Sequence, residues 1–271
     1  MSARAAGVPY AVGRTDEDLV ADCTAALAQI EPELQAAGTP VKCCKLQGTS
    51  AAGALHDLVE DEDALLLVVG SGRPPGAGRV LLGSTAQRLL HGSPCPVAVV
   101  PHERVPDALR TIGVAYIDGD EGREALRAGH ALAWRAGATL RVFTVVKVTP
   151  AMYAQTEAGT GGRFGTTLED VEGEYRARAE QQLQSEVAAL GDDVEVEVDA
   201  FVGDPAVTLV DVSHQLDLLV CGSRGYGPLR AVLLGSVSRR LAAEAHCPVL
   251  VLPHGAAVAL AEPMTEAAEP A

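Results

Sequence analysis

Short apolar runs alternate with longer amphipathic stretches between residues 109 and 254. The apolar runs predict five strands, at residues 111–116, 140–146, 194–201, 216–221 and 248–252. The stretches between them predict four helices, at residues 120–136, 168–190, 205–214 and 235–245, and a loop at 151–167. Strands that alternate with helices at this spacing indicate an α/β fold with an open parallel sheet. Strands without polar alternation indicate helices on both faces of that sheet.

The chain contains the same unit twice. Gly70 aligns with Gly222, and the same shift of 152 residues matches glycine-serine, arginine and cysteine-proline positions further along. The first copy has a predicted helix at about 16–37, but it lacks counterparts of about 109–149, which hold the first two strands. We therefore expect the chain to begin inside a domain, either because the start site is misplaced or because the protein is naturally truncated.

This repeat predicts three segments. Residues 1–103 form an incomplete repeat with a degenerate site, and residues 109–254 form a complete one. Residues 255–271 are mainly alanine, glutamate and proline, a composition that predicts a disordered tail.

Composition and charge exclude several classes of function. Hydrophobic residues make up 48% of the 271, enough for a substantial core. The net charge is −15, which argues against partners such as nucleic acid or an anionic membrane surface. The six cysteines form no CxxC pair, and the N-terminus has no apolar signal region, so a reduced, cytoplasmic protein is predicted.

A glycine-rich loop carries the main chemical signal. Gly222 and Gly225 follow the fourth strand of the second copy, and Gly235-Ser236-Val237-Ser238 opens the next helix. Glycine lets the backbone approach an anion, and the free N–H groups of a helix start favour phosphate. The hydroxyls of Ser236 and Ser238 can add hydrogen bonds, helped by Arg224 or Arg239. The structural alternative is that Ser236 only caps the helix and that the glycines only turn the chain.

This loop, followed by CPVLVLP, resembles the ATP-binding motif of the universal stress protein family, and residues 202–225 are equally characteristic. The resemblance implies a five-stranded parallel sheet of order 3-2-1-4-5 with adenine nucleotide bound across strands 1 and 4. ATP is the implied cofactor, and Mg²⁺ is a candidate companion of its phosphates. The resemblance assigns Asp118 to the adenosine end and the backbone of Val145 to adenine, with Ile117 as an extra residue before Asp118. It assigns the phosphates to Gly222, Gly225, Gly235, Ser236 and Ser238, with Val237 between the two serines.

The first copy departs from this motif. Arg73 stands where the second glycine belongs, although Gly83 and Ser84 are retained. A guanidinium there would crowd the phosphates, and no counterpart of Asp118 exists. We therefore predict one working site, in the second copy.

The glycine-rich loop and this resemblance together imply a stress-response protein that binds ATP as a regulatory or interaction switch, with an unknown protein partner. It is not expected to be a dedicated enzyme, because no catalytic residue and no water-activating base stands out. A slow ATP hydrolase and a nucleotide-free interaction module are the alternatives. The apolar last strands, 96–100 and 248–252, are expected to pair either between the two halves of one chain or across a homodimer.

Two smaller constellations have structural interpretations. His91-x3-Cys95 and His246-Cys247 have no second ligand pair at zinc spacing, so no metal site is predicted. Cys43 and Cys44 are predicted to be neighbours on a strand, where only one can face the core.

Overall fold

The computed structural model describes residues 16–36, 38, 40–71, 82–101, 106–152, 154, 167–223 and 234–253. The chain divides into two compact units, residues 1–57 and 58–271. Helix α1 (Asp16–Ala36) lies in the first unit, and helix α2 (Ala51–Asp61) begins there. The predicted tail, 255–271, is outside the described residues.

The described strands of the sheet all lie in the second unit. The strands are β1 (Leu67–Gly70), β2 (Val97–Val100), β3 (Thr111–Ala115), β4 (Thr139–Val146), β5 (Val196–Val202), β6 (Leu218–Gly222) and β7 (Val249–Leu252). The helices are α3 (Ser84–Gly92), α4 (Asp120–Ala136), α5 (Leu168–Val187), α6 (Pro205–Val212) and α7 (Ser236–Glu244), with a 3₁₀ turn at Ser213–Gln215. Each strand and helix predicted between 109 and 254 is present, with bounds that differ by a few residues.

One region predicted as a loop begins with helical geometry. Residues 150–152 are helical, because Pro150 suits the first turn of a helix and the Thr149 hydroxyl accepts a hydrogen bond from the Met152 N–H at 3.3 Å.

The predicted strand order is confirmed for the second repeat, but the predicted number of strands in the sheet is wrong. The second repeat's strands lie in the order β7-β6-β3-β4-β5, which is the predicted 3-2-1-4-5 from the opposite edge. In the part of the chain that the structure describes, the sheet nevertheless has seven strands, in the order β1-β2-β7-β6-β3-β4-β5, because the first repeat adds β1 and β2. Strand β2 pairs antiparallel with β7, with Ala98 opposite Leu250, while the other neighbouring strands are parallel.

This antiparallel pair joins the two repeats. Both strands are short and wholly apolar, so each would otherwise leave an exposed edge. The two halves of one chain therefore pair through their last strands, which is one of the two arrangements predicted above. A homodimer formed through the second halves stays a prediction, and it would need the same edge of β7.

The expected third strand of the first repeat is not formed. Val41 makes an isolated bridge, and residues 42–47 are not in a strand. The second repeat's third strand, β5, pairs with β4, and the first repeat has no counterpart of β4. The prediction that Cys43 and Cys44 are neighbours on a strand is therefore wrong, because a strand needs a partner for its backbone groups.

Helices pack on both faces of the sheet. One core cluster joins α4 and α5 to one face, and a second joins α3, α6 and α7 to the other. Phe143 is fully buried in the second cluster. Within the described ranges, no helix is both long and apolar enough to cross a bilayer.

Candidate functional site

A change in chain direction creates a crevice between β3 and β6. These strands are parallel neighbours, with Ala115 opposite Cys221 near their carboxyl ends. After β3 the chain forms α4 on one face and continues to β4, whereas after β6 it forms α7 on the other face and continues to β7. Open α/β sheets bind ligands at such a point, because the two connections diverge and leave the strand ends accessible.

The N-terminus of α7 lies at this point and has no side-chain cap. Gly235 is the N-cap residue, and its own N–H donates to the Ser223 carbonyl at 2.7 Å. The first backbone bond of the helix runs from the Arg239 N–H to the Gly235 carbonyl at 2.9 Å. The N–H groups of the preceding helical residues, Ser236, Val237 and Ser238, therefore have no acceptor within the helix. The alternative that Ser236 caps the helix is not what the structure shows.

Two other helices of the same repeat, α5 and α6, are capped by side chains. The Thr167 hydroxyl accepts from the Asp170 N–H at the start of α5. The Asp204 carboxylate accepts from the Ala206 and Val207 N–H groups at the start of α6. The start of α7 therefore differs from the starts of α5 and α6 in having no side-chain cap.

The first turn of α4 differs from that of α7 in charge. Helix α4 also starts without a side-chain cap, at Gly119, but Asp120 and Glu121 follow immediately. The first turn of α7 has no acidic residue. Because carboxylates oppose a second anion at a helix start, α7 is the more favourable of the two for phosphate.

The two serines of α7 are placed differently. Ser236 is exposed at the helix start. Ser238 is 5% exposed, and its hydroxyl donates to the Gly222 carbonyl at 2.7 Å. That bond ties the first turn of α7 to the end of β6, so the Ser238 hydroxyl proton is already committed within the protein. Its N–H remains at the open helix start.

Val145 directs its backbone groups toward the β3 side of β4. Along β4, the Thr139 N–H and the Phe143 carbonyl bond toward β3, whereas the Leu140 N–H and the Val146 carbonyl bond toward β5. This alternation directs the N–H and carbonyl of Val145 toward the β3 side. The β3–β4 ladder ends with the Tyr116 N–H on the Phe143 carbonyl, so the backbone of Val145 lies beyond its last bond.

Asp118 lies in the loop between β3 and α4, and its side chain is 61% exposed. Arg123 holds the carboxylate, with 3.4 Å between Nη1 and Oδ1, and also contacts Asp120 and Glu186 at 3.3 Å. Sequence reasoning did not single out Arg123, although its position in the first turns of a helix that follows an acidic loop could have suggested it.

Two side chains near these strand ends are held in their neutral forms. Burial, together with the nearby carboxylates of Glu186 and Asp118, raises the pKa of Tyr116 to about 12. Burial also raises the pKa of the Cys221 thiol to about 12, against an opposing contact with Ser238.

The first repeat retains only half of this arrangement. Helix α3 also starts at an uncapped glycine, Gly83, whose carbonyl accepts from the Gln87 N–H at 2.9 Å. Among the described strands, however, none pairs with the outer edge of β1, so the side corresponding to β3 and Asp118 is missing. Arg73 and Gly225, with Gly72 and Arg224, lie outside the described residues. Among the residues that are described, no group of three or more histidine, cysteine, aspartate or glutamate side chains could hold a metal.

Comparison with protein families identifies the chain. The model of the universal stress protein family matches it twice, at residues 2–101 and 108–253. The chain belongs to this family. The two matches confirm the predicted tandem organisation.

Relatives and solved structures agree with this assignment. A universal stress protein of Mycobacterium bovis is 32% identical over 208 residues, which are 75% of this chain and 69% of the relative. One from Mycolicibacterium smegmatis is 33% identical over 211 residues, 77% of this chain and 67% of the relative. A putative universal stress protein structure from Pseudomonas aeruginosa gives a TM-score of 0.62 at 20% identity, covering 88% of this chain and 81% of that one. The structure of a universal stress protein from Archaeoglobus fulgidus gives 0.58 at 21% identity, covering 89% and 81%. At these identities the structures support the fold.

Proposed function

We propose that this universal stress protein binds one ATP in the crevice between β3 and β6 and acts as a nucleotide-dependent regulatory switch. The observation that carries the proposal is the start of α7. It is uncapped, free of acidic residues and located where the strand connections diverge. The N–H groups of a helix start and its dipole together favour phosphate.

The other residues proposed to contact the nucleotide lie at the carboxyl ends of β3 and β4. The backbone of Val145 offers a donor and an acceptor to an adenine edge on the β3 side. The exposed carboxylate of Asp118, held by Arg123, can accept hydrogen bonds from ribose hydroxyls. Ser236 adds a hydroxyl at the phosphate end. Mg²⁺ enters the proposal only as a companion of the phosphates.

Binding without rapid turnover fits the chemistry of the described residues. A hydrolase needs a group that activates water near the terminal phosphate. The Cys221 thiol is neutral, and the Ser238 proton is committed to the Gly222 carbonyl. Asp118 is proposed for the adenosine end, away from the terminal phosphate. We therefore favour a switch over the hydrolase alternative.

The decisive test places a negative charge at the proposed phosphate position. Ser236→Asp should weaken ATP binding at least about tenfold through repulsion of the phosphates. It should not unfold the helix, because an acidic residue in the first turn is favourable. Ser84→Asp makes the same change at the equivalent position of α3 and should leave ATP affinity unchanged.

Calorimetric titration of nucleotide-stripped protein measures both affinities, and thermal unfolding confirms both folds. Equal affinity in the two variants would refute the phosphate assignment. Absence of ATP binding by the folded unmodified chain would favour the interaction-module alternative.

A further inference from the structure

A histidine of the first repeat contacts the phosphate end of the second. His91 is the next-to-last residue of α3, and its Nδ1 accepts a hydrogen bond from the Leu234 N–H at 3.4 Å. A nitrogen that accepts carries no proton, so the bond requires the neutral imidazole with its proton on Nε2. The contact is possible because the pairing of β2 with β7 brings the two repeats into one sheet.

The bond fixes the backbone immediately before the open helix start. Leu234 precedes Gly235, the N-cap residue of α7, whose N–H is bound to the Ser223 carbonyl. Leu234 is 9% exposed and belongs to the same core cluster as Leu90, with Leu82 packed against that cluster. The approach to α7 is therefore held by apolar contacts from the first repeat and by one directed hydrogen bond.

The contact has no counterpart in the opposite direction. The shift that relates the repeats aligns Leu234 with Leu82 and His91 with Ala243. The alanine side chain has no acceptor, so it cannot make the equivalent bond to the N–H of Leu82. Among the described residues, this hydrogen bond therefore runs in one direction, from the repeat that retains the complete motif to the histidine of the incomplete one.

We propose that His91 is a positioning residue through which the incomplete repeat preorganises the phosphate-binding end of the complete one. The proposal rests on ATP binding at α7. It gives the first repeat a role in that site, although the first repeat itself lacks the adenosine half of a site. A fixed loop binds phosphate more tightly than a mobile one, because less conformational freedom is lost on binding.

Three variants separate the hydrogen bond from the bulk of the side chain. The Oδ1 of asparagine can accept at the position of Nδ1, whereas the amide of glutamine reaches the position of Nε2. His91→Ala and His91→Gln should weaken ATP binding about threefold, which is within the contribution of one neutral hydrogen bond. His91→Asn should restore the affinity of the unmodified chain. Gln87→Ala, at an exposed position of the same helix, is the matched control and should change nothing.

A second readout does not depend on the nucleotide. Amide hydrogen exchange of Leu234 and Gly235, measured without ATP, should be faster in His91→Ala and His91→Gln than in His91→Asn or Gln87→Ala. The proposal is overturned if exchange and affinity in His91→Ala equal those of the unmodified chain, or if asparagine and glutamine behave alike. If the exchange pattern is found but the unmodified chain binds no ATP, the His91 contact is supported and the proposed function fails.

Discussion

Gly122, in the first turn of α4, is a position where one methyl group should disturb the loop of Asp118. A Cβ built there overlaps the carbonyl oxygen of Ile117, and it lies 2.8 Å from the carbonyl carbon and 3.1 Å from the amide nitrogen of the same residue. These atoms are backbone, so no side-chain rotation relieves the contact. Gly122→Ala therefore requires a shift of the segment that carries Asp118.

The magnitude follows from two opposing effects. Alanine in place of glycine favours a helix by about 1 kcal/mol, and overpacking of this kind costs about 1–3 kcal/mol. We expect the free energy of unfolding to fall by up to about 2 kcal/mol. For a chain of this size, each kcal/mol lowers the melting temperature by about 2–4 °C. ATP affinity should fall as well, because the loop of Asp118 moves.

Gly173 supplies the matched control. It is exposed in α5, and a Cβ there meets no atom within 4 Å. Gly173→Ala should raise stability by about 0.5–1 kcal/mol and leave ATP affinity unchanged. Thermal unfolding by circular dichroism and ATP titration measure both effects. A Gly122→Ala variant that is as stable as the unmodified chain and binds ATP equally would refute this reasoning.

Three further predictions concern burial and capping. The pKa of Tyr116 is raised from 10 to about 12, so the unfolded chain loses this proton before the folded chain does, and the free energy of unfolding should fall as pH rises from 10 to 12. Denaturant titrations across this pH range measure the fall, which Tyr116→Phe should lessen. An equal fall in that variant would contradict the raised pKa of Tyr116. Native protein should react with a thiol reagent at its partly exposed cysteines and not at its buried ones, and fast labelling of the buried set would contradict the core packing. The partly exposed set is Cys23, Cys43 and Cys44, and the buried set is Cys95, Cys221 and Cys247. Asp204→Ala should cost about 1 kcal/mol in urea unfolding through loss of the α6 cap, whereas Asp204→Asn should cost less.

The second repeat was largely predictable because its pattern is local. Apolar runs and glycine-serine turns specify its strands and helices directly, and the family resemblance supplies their order. The position of Val145 on β4 also follows from the pattern, although the direction of its backbone groups depends on where β3 ends.

The first repeat was less predictable because its structure depends on distant partners. Residues 42–47 have no neighbouring strand to pair with, whereas β2 pairs with β7. The bond of Ser238 to Gly222 and that of His91 to Leu234 depend on tertiary packing, and neither leaves a signal in sequence spacing.

One ATP is proposed to bind to the second repeat, and the number of ATP molecules bound per chain tests this claim. Calorimetric titration of nucleotide-stripped protein should give about one ATP per chain, as expected for a single formed site. Two per chain would contradict the loss of the first repeat's site. No binding by the folded chain would contradict the claim itself.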